Sequence, residues 1–564
     1  MSRRRRRFVG EVSPRTESEA VEGLQTAVVG GGIGGLAAAA SLAADGADVT
    51  VFEQGDRVGG SANLITREGF RFDTGPSWYL MPGTFERFFA QFDREPSDYY
   101  ELTRLDPHYR VFWKDGDRAD VSDDRSQVRS LFESYEDGAG AALDDYLADA
   151  AEAYELGLKR FVYTDRSRLR DFLDWDVLKS GRALPMLRSM DDYVQEYVQH
   201  PKLRQLLEYT LVFLGGSPYN TPALYSMLSH ADLNLGVYYP DGGMYAVVEA
   251  LRDLGRELGV EFRTETRVEE IAPADETTHD TSVTTNASVG AHDPSSAAAE
   301  TPFDQQFVVT TESVGDTAEH QSGSASGATR ADAVVSNLNP AVAERELLPS
   351  SLRRHDDGYW DRATLAPSAY MLYLGVEGSV EPLAHHTLVL PTDWDEHFAS
   401  IFDDPAWPDD PAYYVSVPSL TDDTVAPDGH ETVVVLVPIA PGLDDSPTAR
   451  EQYRETVLDD LASHTGVDFR GRIVVEEDAC VSEFAEQLGA PGGSALGLAH
   501  TLDQTGALRP GHRGGAEGLY FTGGYTTPGI GVPMTLLSGA QTADALRADA
   551  ETDRLLPASV PLPL

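Results

Sequence analysis

The chain has 564 residues with 44 basic against 92 acidic side chains, a formal charge of −48, and a single cysteine, Cys480. A charge of that size repels nucleic acid and anionic headgroups at long range, and one cysteine excludes an intramolecular disulfide, a paired-thiol redox centre and a cysteine-based zinc site. At 41% hydrophobic residues the chain carries enough apolar material to fold, and its length calls for two or three domains or layers.

Few lysines beside abundant Asp, Glu, Ala, Thr and Gly suit a protein adapted to high salt, where screening shortens the reach of self-repulsion. An acidic cytosolic enzyme is the plainer alternative. The start, "MSRRRRRFVGEVSPRTESEAVEG", has five consecutive arginines but no apolar run behind them, so it reads as a disordered basic tail over 1–23 or an over-long start assignment rather than a signal. The low-charge run Thr26 to Ala44 has nearly spanning length, but its glycine cluster fits a strand, turn and helix better than a membrane segment.

In chain order, a β-branched strand over 25–29 runs into Gly30, a helix follows through "GLAAAASLAAD" to Gly46, and "ADVTVFEQ" is a second strand. That βαβ opening predicts a parallel sheet and an α/β domain. From about 85 to 235 apolar and aromatic residues recur at helical spacing, which reads as a helical cap or substrate region. A Gly-Gly turn at 242–243 then opens an amphipathic helix from Met244 to Leu258, followed by a strand. Between about 273 and 330 the composition turns to Thr, Ser, Ala, Asp and Gly; with "QQFVVTT" inside it, the stretch reads as a small β-meander with acidic insertions in its loops. Strand patterns over 360–480 predict a second sheet, and the stretch "LYFTGGYTTPGIGVPMTLLSG" runs from strand through Gly/Pro turns into a buried helix.

Gly30, Gly32 and Gly35 satisfy G-x-G-x-x-G after a strand and at the start of a helix, and Glu53 ends the next strand 23 residues past Gly30. This is the context of a dinucleotide site: Gly30 allows the tight turn, Gly32 lets backbone approach a pyrophosphate, and Gly35 lets helix and strand pack closely. Glu53 can accept from a ribose diol, and its charge disfavours a 2′-phosphate. A second close approach follows at Arg57, Gly59 and Gly60, which a nicotinamide-only site does not need, and no second strand–G-x-G-x-x-G–helix unit occurs. The cofactor expected is therefore FAD, reduced directly by substrate. Gly523, Gly524, Gly529 and Gly531 would bring backbone against the flavin, with the following helix N-terminus favouring the anionic reduced ring. No metal site is expected.

These segments, together with "FRFDTGPS", "LVFLGGSPYNTPALYSMLSHA", "GVYYPDGGMYAVVEAL", "VSVPSLTDDTVAPDG" and "GALRPGHR", resemble carotenoid desaturases of the bacterial and archaeal phytoene desaturase type over about residues 24–548, the insertions excepted. The resemblance implies an FAD-dependent, flavin amine oxidase-like enzyme: a Rossmann-like FAD-binding domain, a mixed-sheet substrate domain and a helical cap or membrane-associating subdomain. The division expected is 24–84, 236–345 and 486–550 for FAD, 85–235 for the cap, 346–485 for the substrate sheet and 551–564 for a tail.

By motif, the resemblance places Gly30, Gly32, Ile33, Gly34 and Gly35 at the pyrophosphate and Glu53 at the adenosine ribose. Arg57, Gly60 and Ser61 fall at the second glycine pair, where the family more often has Gly-Gly-Arg. Val268 matches an adenine contact, and Gly523, Gly524, Gly531, Val532 and Pro533 lie at the flavin. Thr527 stands where the family often has histidine, which puts a histidine beside the flavin in doubt. Asp171 matches an acidic position and is the candidate acid/base, with a helix-capping role as the alternative.

The implied reaction is desaturation of a C40 polyene, foremost phytoene towards lycopene, with hydride passing to flavin N5 and electrons on to quinone or oxygen. A carotenoid 3,4-desaturase acting on a later intermediate, a carotenoid isomerase, an amine oxidase and a non-enzymatic FAD- or carotenoid-binding protein are the alternatives. The implied setting is cytoplasmic, at a peripheral membrane surface, with no nucleic acid partner; a homo-oligomer is compatible with it. Aromatic residues of "EYTLVFLGGSPYNTPALYSML" are the expected walls of an apolar tunnel.

Overall fold

Five short parallel strands form the first sheet: β1 (Gln25–Val29), β2 (Asp48–Phe52), β3 (Glu261–Arg263), β4 (Ala333–Ser336) and β5 (Leu519–Phe521), in the order β5–β4–β1–β2–β3. The computed structural model describes residues 12–157, 188–274, 302–314, 326–501 and 503–555. β1, β4 and β5 are almost wholly buried, as strands covered on both faces must be. Val28, Val51, Val335 and Tyr520 point one way, onto helices α1 (Ile33–Ala44) and α3 (Val532–Leu555). Val29, Phe52, Val334 and Phe521 point the other way, onto an antiparallel meander of strands Thr266–Pro273, Phe307–Ser313 and Ser326–Ala331. The expected meander is present; its insertions lie outside the described residues. Helix α2 (Tyr245–Glu257) packs beside α1, in one cluster with Val247, Val248 and Leu251.

The second sheet has seven strands and is mixed: Thr387 pairs in parallel register with Arg110, while the other neighbours run antiparallel. Two of its strands, Tyr109–Trp113 and Arg118–Val121, come from the stretch read above as wholly helical. That reading is corrected: "YRVFW" and "RADV" alternate about the turn "KDGD", where Gly116 takes φ +92°, and this is a hairpin signal. Helices Arg125–Tyr135, Ala139–Gly157 and Pro201–Glu208 do follow it, and cover this sheet through one shared apolar cluster.

The tail reading also needs correction for its described part. Arg15 donates to Asp45 at 2.7 Å and to Asp544 at 2.6 Å, and its backbone N–H donates to Gln91 O, so residues near 15 are docked where α1 ends and α3 passes. Among the described residues no helix is long and apolar enough to cross a membrane.

Candidate FAD and substrate site

β1 ends at Val29, and Gly30 turns the chain with φ +94° while its N–H donates to Phe52 O. Gly32 is the N-cap of α1 and offers no side-chain cap, so the first-turn N–H groups of a twelve-residue helix are left for another acceptor. Glu53 is fixed at the end of β2, with Oε2 accepting from Gly31 N and Oε1 from Gly55 N, each at 2.8 Å. Its carboxylate keeps lone pairs for a ribose diol. The loop "RVGG" lies over Gly32: Gly59 bridges Gly32, and a Cβ on Gly60 would stand 3.2 Å from Gly32 Cα. Arg57 pairs with its neighbour Asp56 at 3.1 Å and stays partly exposed.

Beyond β5, Gly523 N donates to Ser538 Oγ at 3.0 Å, tying the C-terminal glycine segment to α3. Gly531 has φ +105° and would present a Cβ to open space, a bare backbone surface on which a planar ring can lie. α3 begins directly after it.

One cavity of about 2320 Å³ joins both segments. Sites for a single drug-sized ligand reach roughly 1,000 Å³, so this space admits an extended cofactor and a long second molecule. Gly30, Gly32, Ile33, Glu53, Arg57, Gly60 and Ser61 line it at one side, with Val268 on the meander. Gly524, Gly531, Val532 and Pro533 line it at the other. Gly34, Gly35 and Gly523 sit behind the wall: a Cβ on Gly35 would stand 2.2 Å from Gly30 O, and one on Gly34 3.0 Å from Gly523 Cα. These three set backbone packing. Asp171 lies outside the described residues.

Asn337, which follows β4, escaped the sequence reading. Its amide would lie 2.6 Å from a Cβ on Gly32, 2.6 Å from one on Gly34 and 2.8 Å from one on Gly523, so it stands where the two glycine segments meet. Its signal was only its place, since the C-terminal ends of parallel strands converge on the ligand crevice. Asp73 also escaped. It accepts from Met244 N at 2.7 Å and Tyr245 N at 3.0 Å, capping α2, and burial pushes its carboxyl up to about 6. Tyr245 OH then donates to Val58 O at 3.0 Å, so "FDTG", "PDGGMY" and "RVGG" form one support for the glycine loop at Gly32.

Thr527 lines the cavity, and so does His500. Its Nδ1 meets Tyr225 OH at 2.5 Å, its Nε2 accepts from Ile530 N at 3.2 Å, and burial holds its pKa well below the ordinary value. A Cβ on Gly529 would stand 2.2 Å from the ring. This histidine is a neutral spacer under the Gly529–Ile530 backbone.

The far walls are aromatic and aliphatic. Tyr209, Val212, Leu224, Tyr225, Met227 and Leu228, all from the expected tunnel stretch, line the cavity with Trp78, Tyr414, Trp394 and Phe398. His386 stacks on Trp78 at 4.2 Å, and burial keeps it neutral. Behind Tyr209, buried Asp232 accepts its hydroxyl at 2.7 Å, and desolvation raises the carboxyl to about 7.

The sequence is 54% identical over 531 residues to a carotenoid 3,4-desaturase of Haloarcula japonica, covering 94% of this chain and 99% of the relative. It is 31% identical to a zeta-carotene-forming phytoene desaturase of Myxococcus xanthus over 94% and 95% of the two chains. A solved oxidoreductase from Methanosarcina mazei superposes with TM-score 0.57 at 17% identity over 91% and 98% of the two chains, and putrescine oxidase bound to putrescine with TM-score 0.57 at 15% over 94% and 100%. Residues 33–547 match the flavin containing amine oxidoreductase family. With the uncapped helix, the Glu53 carboxylate and the Gly531 surface spaced along one cavity, the chain belongs to that family as an FAD-dependent oxidoreductase of the carotenoid desaturase type.

Proposed function

We propose that the protein introduces a double bond into an acyclic carotenoid, and that the bond is the 3,4 bond of a late intermediate. The observation that carries this reading is the continuity of the cavity: the same space reaches from Gly32 and Gly531 to Trp394 and Phe398. High identity over nearly full length to a carotenoid 3,4-desaturase supports the choice of bond. Bound FAD supplies a hydride acceptor at its flavin N5. The aromatic and aliphatic walls hold a polyene by shape and exclude water, since such a substrate offers few polar atoms. Asp171 is the candidate acceptor for the proton lost from the adjacent carbon.

Electrons then pass to quinone or oxygen, and the substrate is collected at a membrane surface. Docking there is hydrophobic and salt-tolerant, because a chain of charge −48 is repelled by anionic headgroups. Desaturation of phytoene towards lycopene is the second reading, favoured by the likeness to the Myxococcus xanthus enzyme.

Expression in two hosts, one accumulating phytoene and one lycopene, separates them. Modified lycopene beside unchanged phytoene supports the 3,4 assignment; conversion of phytoene to coloured products supports the second reading. Unchanged pigment in both hosts, with FAD-loaded protein present, defeats carotenoid desaturation.

A further inference from the structure

We propose that Arg509 is the buried counter-charge of the flavin end of the cofactor and favours its anionic reduced form. The side chain belongs to "GALRPGHR", and its residue is 3% exposed. Its Nη2 donates to Gly524 O at 2.6 Å and Leu498 O at 3.2 Å, its Nε to Thr526 O at 3.3 Å and its Nη1 to Gln504 O at 3.4 Å. Every partner is a neutral carbonyl. Among the described residues no carboxylate pairs with it. Burial lowers its pKa to about 10, which leaves it charged at neutral pH.

A buried cation without an anion is costly, by several kcal/mol after relaxation. Carbonyl dipoles orient the guanidinium but supply no opposite charge. The neighbouring ionisable groups do not supply one either: desolvation keeps Tyr225, Tyr359 and Tyr525 protonated and His500 neutral. What lies across the wall is the cavity. The carbonyls that Arg509 grips belong to Gly524 and Thr526, and Gly524, Tyr525, Thr527 and Ile530 line that cavity. The missing negative charge is thus supplied from the cavity, on the side where the flavin segment stands. In a water-poor site a fixed charge needs no reorganisation when the opposite charge appears, so it acts at full strength. The role does not depend on which polyene is taken. Arg509 works as a positioning residue through the Gly524–Gly531 backbone and through its field.

The test is the midpoint potential of the FAD-loaded full chain, measured by dye-equilibrated reduction in wild type, Arg509→Lys and Arg509→Gln. Loss of the charge in Arg509→Gln is expected to weaken binding of reduced relative to oxidised FAD at least tenfold, a fall of about 30 mV for a two-electron couple. Arg509→Lys, which keeps the charge and loses the fork, should fall clearly less. Equal potentials in wild type and Arg509→Gln, or equal displacement of both variants, would mean a carbonyl clamp alone and overturns the proposal. Should Arg509→Gln fail to retain FAD, the pH dependence of the wild-type potential below neutrality decides: uptake of one proton per electron pair persisting well below the pH at which free reduced flavin takes its second proton supports the counter-charge, and a change to two protons at the pH of free flavin overturns it.

Discussion

Replacing Gly539 by valine should loosen FAD without touching any cavity residue. Gly539 lies in α3, two turns past Val532, against α1. A Cβ there would stand 2.4 Å from Gly34 O, 2.6 Å from Ala37 Cβ and 2.8 Å from Ala38 N. Two of these three atoms are α1 backbone, which has no rotamer to move. An ordinary close carbon–oxygen contact is about 3.3 Å, so the helices must part by roughly 1 Å. Overpacking of this kind costs about 1–3 kcal/mol. Separation moves α3 and the preceding Gly531 surface away from Gly32, so the two ends of one extended ligand no longer match their supports. If the strain falls on the complex, FAD binding weakens about 5- to 150-fold. Titration of the apoprotein with FAD measures the constant, and thermal unfolding measures the strain left in the free protein. Gly471→Ala is the control, since no atom lies within 4 Å of its added Cβ and its φ is not positive. Wild-type affinity and wild-type unfolding temperature in Gly539→Val would refute the argument.

Asn337→Ala removes the amide between the glycine segments and should weaken FAD binding by about 1–3 kcal/mol, read in the same titration; an unchanged constant shows that the amide only fills space. Burial first, then the Asp191 charge, raises Glu208 to about 8, and a carboxyl raised in the folded state contributes stability below about 4.5 that is lost as pH climbs through 8. At pH 7 that loss is about 3 kcal/mol, so Glu208→Gln should gain on wild type by that order between pH 4.5 and 7 in denaturant unfolding; a pH-independent difference contradicts it. The charge of −48 predicts an unfolding temperature that rises with KCl up to molar concentrations, as the screening length shrinks from about 10 Å to about 3 Å. A flat salt profile removes the high-salt reading.

Much of the cofactor half was legible because its signals are local. A glycine spacing, a β-branched strand before it and an acid one strand later are all read within thirty residues, and the structure places Gly30, Gly32 and Glu53 on one wall. The second glycine segment stood out for the same reason, as glycines between a strand and a helix, and Gly524 and Gly531 line the same cavity. Asn337 and Asp73 were not legible, because each acts across the chain; Arg509 has its partners within 17 positions, but nothing in a lone loop arginine announces that it is buried. Asp73 caps a helix 171 positions later, and Asn337 reaches both glycine segments only because β4 lies between β1 and β5. Strand order in a parallel sheet is not written in any window of sequence. The hairpin at Tyr109–Val121 was hidden differently: its aromatic residues fit a helical stripe as well as a strand until the Asp-Gly turn is given weight. Likewise Arg15 reads as one more basic tail residue until Asp45, buried at the end of α1, supplies its partner.

Anaerobic mixing of the FAD-loaded protein with a lycopene-type polyene, without any nicotinamide, tests the central claim most directly. The account predicts that the visible absorbance of the flavin bleaches while the polyene absorption moves to longer wavelength, one new double bond for each flavin reduced. An unchanged flavin spectrum in the presence of bound polyene would contradict it.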